Sequence, residues 1–240
     1  MKNLPIIIAA SILLFTSCNL LDAVKGDKNI VKKEYAVSDF TAMNISTICD
    51  IEYKQINSDS AYVCIEIDSN LVQYLDIYEK NGQLIVETDK NQPIDPSKFI
   101  IYTNAGKINR ITLSAVGDFT ATDKISADKL DVSLTGVGDL RFGSLEVDTI
   151  SARITGTGNI KLAGKATFSD FAVTGIGDID SYEFTTKTAK CMVSGVGDIK
   201  VNATDSLASS VSGVGDIRYR GTPIVVNSIS GIGRVKNTKK

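Results

Sequence analysis

A five-residue phrase recurs about every twenty residues through the second half of the chain, and this period restricts the folds open to it. Each copy reads Ser or Thr, then Gly or Ala, an aliphatic residue or Thr, Gly, and finally Asp, Asn or Arg. A period of this length is typical of a solenoid, in which each repeat forms one turn of a coil. The second glycines of the seven copies, which are 21, 20, 19, 20, 18 and 18 residues apart, are Gly117, Gly138, Gly158, Gly177, Gly197, Gly215 and Gly233.

Two columns of apolar residues keep a fixed distance from that glycine. Four positions before it stand Leu113, Leu134, Ile154, Val173, Val193, Val211 and Ile229, and two positions after it stand Phe119, Leu140, Ile160, Ile179, Ile199, Ile217 and Val235. The residues between copies alternate and are rich in β-branched side chains, and no stretch is long enough for a helix. We therefore predict an all-β chain: a β-solenoid, or parallel β-helix-like stack, with rungs of about 20 residues over 105–240. The residue between the two glycines should point inward as well.

Residues 30–104 lack the phrase but remain strand-like. Residues 75–80 and 83–88 alternate on either side of Asn81-Gly82, which is a strong hairpin signal. We expect an N-terminal β region that covers the first rung, either as a distinct layer or as irregular rungs of the same stack. Residues 30–240 then form one continuous domain.

Histidine is absent, which removes Ser-His-Asp and Cys-His catalytic arrangements and His-ligated zinc sites. The formal net charge of −2 is too mild for a nucleic-acid-binding protein. Cys49 and Cys191 are expected to be small buried apolar residues, whereas strand parity places Cys64 outward. A bridge between Cys49 and Cys64 is not favoured.

The first residues are predicted to form an export signal and not part of the folded domain. Lys2 precedes an apolar run from Pro5 to Phe15, which is too short to span a bilayer and fits a signal-peptide core. Thr16 and Ser17 then precede Cys18, an arrangement that resembles a bacterial lipoprotein signal. We predict a signal peptide over 1–17, lipidation of Cys18, and a tether over 18–29. A plain secretory signal is the alternative.

Five copies carry an acid after the second glycine: Asp118, Asp139, Asp178, Asp198 and Asp216. Hard oxygen ligands suit calcium, so these residues are candidates for a metal ladder. The alternative is that each short acid accepts a hydrogen bond from backbone N–H groups at its own bend. Asn159 would serve that role equally well, and Arg234 shows that the charge is dispensable, so the second reading is favoured and no cofactor is expected. The Ser/Thr column could likewise face sugars or form hydrogen bonds between rungs.

The repeated Thr/Ser-Gly-Val/Ile-Gly-Asp phrase behind a lipoprotein-like signal resembles the family called putative auto-transporter adhesin, head GIN domain. Residues 40–45 and 82–86 resemble its opening strands, and the similarity covers roughly residues 36–220. The resemblance implies a β-solenoid-like domain, export or lipid anchoring in a Gram-negative bacterium, and an adhesive role. It supplies no catalytic residues.

Three hypotheses about function follow. The first is a cell-envelope lipoprotein, anchored in the outer membrane, whose solenoid presents a non-catalytic surface to a protein or glycan. The second is a carbohydrate-active enzyme on the same scaffold, and the third is a purely structural envelope component. A cleft with convergent acids outside the repeat register would favour the enzyme, and uniform ladders would favour binding or structure.

Overall fold

The computed structural model describes residues 23–56, 61–89 and 92–238. The segment 1–17 and Cys18 lie outside these residues. About 70% of the described residues lie in strands. Its strands are β1 (Val24–Lys25), β2 (Ile30–Ala36), β3 (Ala42–Ser46), β4 (Asp50–Gln55), β5 (Tyr62–Asp68), β6 (Leu75–Lys80), β7 (Gln83–Thr88), β8 (Ile94–Asp95), β9 (Phe99–Ala105), β10 (Arg110–Leu113), β11 (Phe119–Leu134), β12 (Leu140–Ile154), β13 (Ile160–Val173), β14 (Ile179–Val193), β15 (Ile199–Val211), β16 (Ile217–Arg220), β17 (Ile224–Ile229) and β18 (Val235–Asn237).

The second half of the chain is a parallel β-solenoid, as the repeat predicts, within a stack of about six turns. Strands β10 to β15 pair successively in parallel, and β16, β17 and β18 continue the last rungs. Leu134 pairs with Ile154, which pairs in turn with Val173, and all three side chains are buried. The two predicted apolar columns are buried from Leu113 to Val211 and from Phe119 to Ile217, because each rung can bury its aliphatic residues only against its neighbours. In the last rung Ile229 is 45% exposed.

The N-terminal region belongs to the same hydrogen-bonded sheet. Strand β3 pairs in parallel with β10 and β7, and β4 pairs in parallel with β11 and β9. The N-terminal strands β3, β4, β7 and β9 therefore act as irregular rungs. Strands β2, β5 and β6 extend the two faces in antiparallel fashion. The hairpin strands β6 and β7 have the bounds that the Asn81-Gly82 signal predicts, and both turn residues have positive φ.

The N-terminal end of the stack is fixed by a buried carboxylate. Asp68 Oδ1 accepts hydrogen bonds from the backbone N–H of Lys28 at 2.7 Å and from Ser97 Oγ at 2.6 Å. Its Oδ2 accepts from the backbone N–H groups of Ser97 and Lys98. Strand β1, within the segment that the sequence assigns to the tether, pairs with β8 beside this cluster. Residues 24–29 are thus held against the fold at several points.

All three described cysteines are free and buried. Cys49 and Cys191 lie in the core, as predicted, and burial raises the pKa of both thiols. The parity prediction for Cys64 is right but its expected exposure is wrong. Glu34 and Tyr102 flank Cys64 on the outer face and its side chain is covered, so burial raises its pKa too.

Candidate functional site: the glycine corner

The repeated phrase forms a tight corner at which successive rungs touch through their backbones. The residues between the glycines bridge one another in parallel from rung to rung, from Ile48 to Ile232. The Gly158 N–H donates to Ile176 O at 2.9 Å, and the Gly177 N–H donates to Val196 O at the same distance. A Cβ on Gly158 would overlap the carbonyl oxygen of Gly138 in the rung before it. The phrase needs glycine because the rungs approach too closely for a side chain.

The residue between the two glycines points outward, so the prediction that it points inward is wrong. Its side chain is 50% exposed at Val116, 57% at Ile176 and 74% at Ile232. Strand alternation explains the direction, since the inward residue just before the phrase, such as Leu134, lies three positions earlier. This aliphatic ladder comprises Ile48, Val116, Val137, Thr157, Ile176, Val196, Val214 and Ile232.

The acid after the second glycine accepts a hydrogen bond from the next rung. The prediction that it bonds to its own bend is wrong. Asp139 Oδ1 accepts a hydrogen bond from the Asn159 backbone N–H at 3.0 Å, and Asn159 Oδ1 accepts from the Asp178 N–H at the same distance. Carboxylate and amide oxygens serve this role equally, which explains why Asn159 fits. This acid ladder comprises Asp50, Asp118, Asp139, Asn159, Asp178, Asp198 and Asp216, and it ends where Asp216 accepts from the Arg234 N–H.

Arginines pair with the second oxygens of some of these acids. Arg141 donates to Asp118 at 2.9 Å and to Asp139 at 2.6 Å, and Arg218 joins Asp198 and Asp216 in the same way. Burial alone raises the pKa of Asp118, but the hydrogen bonds from Arg141 and the Asp139 N–H outweigh it, so the pKa lies below its ordinary value. The five calcium candidates therefore lie in one row along the stack. One carboxylate oxygen of each accepts a hydrogen bond from a backbone N–H of the next rung. Among the described residues, no group of three or more Cys, Asp or Glu side chains is placed to hold a metal ion.

The Ser/Thr column forms the third row, the hydroxyl ladder, which is exposed: Ser114, Thr135, Thr155, Thr174, Ser194, Ser212 and Ser230. Hydroxyls of this ladder form hydrogen bonds between rungs, as expected of such a column. Ser114 Oγ contacts Thr135 Oγ1 at 2.7 Å, and Thr174 Oγ1 donates to Ile154 O at 3.2 Å. The hydroxyl, aliphatic and acid ladders together make a corner face with aligned rows of three chemistries. With rungs about 4.8 Å apart, its eight bridged positions span about 34 Å.

A groove of about 730 Å³ runs along another side of the stack, over Val147, Lys165 and Lys187. Its Glu146 lies between Lys124 and Lys165, and hydrogen bonds from these two lysines lower its pKa to about 2. A general acid needs a raised pKa instead. Glu146 is therefore suited to ion pairing and not to acid catalysis.

The sequence pattern of a family described as "Putative auto-transporter adhesin, head GIN domain" matches residues 39–223. The chain belongs to this family. The match covers the irregular N-terminal rungs together with nearly the whole repeat, so a GIN domain includes both. Membership in an adhesin family points to an exported or envelope protein. No curated protein matches the chain.

Solved structures share this GIN-domain architecture. The "putative adhesin" from Bacteroides fragilis is 27% identical, with a TM-score of 0.85 over 90% of this chain and 100% of that one. A "putative adhesin" from Parabacteroides distasonis is also 27% identical, with a TM-score of 0.73 and the same coverage. A "putative lipid binding protein" from Parabacteroides distasonis is 21% identical, with a TM-score of 0.74 over 90% of this chain and 99% of that one, and shows the shared fold. These proteins are named for adhesion or lipid binding and not for an enzymatic activity. Among the described residues, no helix is long and apolar enough to cross a membrane.

Proposed function

We propose that this GIN domain is a non-catalytic binding module of the cell envelope and that its corner face contacts a protein or glycan. The aliphatic ladder carries the proposal. Soluble proteins rarely leave a continuous apolar strip exposed, and such strips mark interaction sites. Here seven of the eight ladder positions are aliphatic and more than 40% exposed, from Ile48 to Ile232.

The surroundings of the ladder support a binding role. Hydroxyls run along one side and carboxylates with paired arginines along the other, which is the apolar centre with a polar rim found in protein interfaces. The rows are held by hydrogen bonds between rungs, so the surface is already ordered before it meets a ligand. A pre-ordered surface loses little conformational freedom on binding.

The ladder itself offers a conservative variant. Thr157 occupies the same position as Val137, Ile176 and Val196, so threonine is compatible with this backbone. The free energy of unfolding of a chain with Val137→Thr, Ile176→Thr and Val196→Thr should stay within about 1.5 kcal/mol of the parent, because each change is at an exposed position and contributes at most about 0.5 kcal/mol. The matched control is Phe168→Thr, which removes an exposed apolar side chain on a different side of the stack.

Both variants and the parent would be applied to arrays of purified glycans and purified proteins. We expect the parent to bind one ligand or more, the triple variant to bind at least about tenfold more weakly, and the control to match the parent. Equal binding by the triple variant and the parent would exclude the corner face as the contact surface.

We further propose that Cys18 carries acyl chains that hold the protein to the outer membrane. Each buried methylene contributes about 0.8 kcal/mol to such anchoring. The support is the apolar run before Thr16-Ser17-Cys18. Cells that express the parent should incorporate labelled palmitate into the protein, and Cys18→Ala should abolish the label. Equal labelling of the two proteins would rule out this anchor.

A further inference from the structure

The coil narrows near its C-terminal end, and a pocket lies at the step. Successive phrases are 20 residues apart between Gly177 and Gly197, but only 18 apart between Gly197 and Gly215. The shortening falls within the pairing of β14 with β15, a few residues after the glycine corner. There Ser181 pairs with Val201 and Thr185 pairs with Asn202, so residues 182–184 have no partner on the next rung. The next rung regains one residue where Thr186 and Thr188 pair with Ala203 and Ser206, which gives the net loss of two residues.

Tyr182 projects from this unmatched segment across the narrower rungs. Its hydroxyl forms a 2.7 Å hydrogen bond with Thr238 Oγ1, although the two residues are 56 positions apart. The Arg220 guanidinium lies over the Tyr182 ring, 4.0 Å from its centre, and Arg220 Nη1 is 3.6 Å from Glu183 Oε1. The aromatic side chain is therefore held at both its ring and its hydroxyl.

Tyr182 also lines an open surface pocket of about 650 Å³, within the usual range for small-ligand pockets. Its lining includes Thr185, Thr222 and two asparagines. Asn202 Nδ2 donates to Thr185 Oγ1 at 3.2 Å, and Asn237 Nδ2 donates to Gly221 O at 3.0 Å. These bonds fix both amide planes, while neither amide oxygen accepts a hydrogen bond from another described residue.

The charge of the pocket indicates a neutral ligand. Arg220 and Glu183 are the two charged residues in its lining, and they have opposite signs and lie close together. The other polar groups are amides and hydroxyls, each of which can donate and accept hydrogen bonds. A sugar ring presents hydroxyls at its edge and C–H groups on its faces, and an aromatic wall beside amides and hydroxyls matches both features.

We propose that this pocket binds a neutral sugar residue of a glycan. The site is separate from the corner face, since its residues belong to a different bend of the rung. Tyr182, with Arg220 stacked on one face of its ring, supplies one wall, and the amides of Asn202 and Asn237 meet the ring hydroxyls. A short peptide, which also presents amide groups, is the competing occupant.

The test is ligand-observed saturation-transfer NMR on the purified protein with glucose, galactose, mannose and N-acetylglucosamine, and with triglycine as the peptide probe. The variants are Tyr182→Ala, which removes the wall, and Thr222→Tyr, which fills the pocket but leaves Tyr182 in place. Phe168→Thr, which lies outside both the pocket and the corner face, is the control. Circular dichroism establishes that each variant is folded.

We expect transfer to one sugar or more with the parent and with Phe168→Thr. Thr222→Tyr should abolish the signal, and Tyr182→Ala should weaken affinity about tenfold, which corresponds to about 1.4 kcal/mol. The absence of transfer to every sugar, a signal unchanged by Thr222→Tyr, or a variant-sensitive signal from triglycine alone would overturn the proposal. None of these results bears on the corner face, which its own triple variant tests.

Discussion

A single methyl group placed at Gly158 should open the glycine corner. The backbone there has φ +140°, a conformation that side chains rarely adopt, and the added Cβ would overlap the carbonyl oxygen of Gly138. Strain of this kind costs about 1–3 kcal/mol. Relief of the overlap would stretch two hydrogen bonds, from the Gly158 N–H to Ile176 O and from the Gly138 N–H to Thr157 O, at about 1 kcal/mol each. Gly158→Ala should therefore lower the free energy of unfolding by about 3–5 kcal/mol.

The matched control is Gly82→Ala in the hairpin turn. Gly82 also has positive φ, but the nearest heavy atom to its added Cβ is Thr41 Oγ1 at 3.9 Å, so only backbone strain of about 1 kcal/mol is expected. Thermal unfolding followed by circular dichroism should show Gly158→Ala melting about 10 °C below the parent, and Gly82→Ala about 3 °C below it. Similar small shifts for both variants would refute the close stacking of backbones at the corner.

Three further predictions concern carboxylates. Asp139→Ala should destabilise the protein by about 1–2 kcal/mol in urea titrations while Asp139→Asn costs less than half as much, because an amide oxygen can accept the same bond; equal losses would contradict the cross-rung role. Burial raises the pKa of Asp68, but the hydrogen bonds that it accepts from Ser97, Lys28 and Lys98 lower the pKa by a larger amount, so the net pKa is depressed. That contribution to stability is present above the unfolded pKa of about 3.9 and is lost as pH falls through the lower folded value; a parent stability that is flat down to about pH 2 would contradict it. Finally, the melting temperature should be the same in chelator and in added Ca²⁺, and a rise with Ca²⁺ would restore the metal reading of the acid ladder.

The stack could be predicted because its signals are local and repeated. Leu134, Ile154 and Val173 hold the same place in successive copies, and burial in a solenoid requires equivalent residues to meet. The hairpin at Asn81-Gly82 could be placed for a similar reason, since a two-residue turn with positive φ sets the register of both flanking strands.

The outward direction of the Val137 side chain could also be predicted from the sequence. Counting by twos from the inward Leu134 places residue 136 inward and Val137 outward, and Thr157 in the same column points the same way. The prediction that Val137 points inward rested on its apolar character and not on this parity. In a narrow coil, whether a side chain points inward or outward depends on where the chain turns. Here the turn lies one residue after Val137, at the second glycine.

The covering of Cys64 and the pocket under Tyr182 depend on contacts that the sequence does not specify. Cys64 is buried by residues from β2 and β9, whose pairing with β5 spans long stretches of chain. The drop in spacing from 20 to 18 residues is visible in the sequence, but the bend that loses those residues is not. The two register shifts between Ser181 and Thr188 locate the step.

The bonding of each corner to the next rung, through the same atoms every time, makes the number of turns an adjustable quantity. A duplication or deletion of one whole repeat would lengthen or shorten the strip by one unit of about 4.8 Å without changing its cross-section. Under the proposed function, each added unit would bring another copy of the same small contact, and many weak contacts on one rigid scaffold raise the overall affinity for a polymeric target. The number of turns would then set the binding strength, without a change in any one turn.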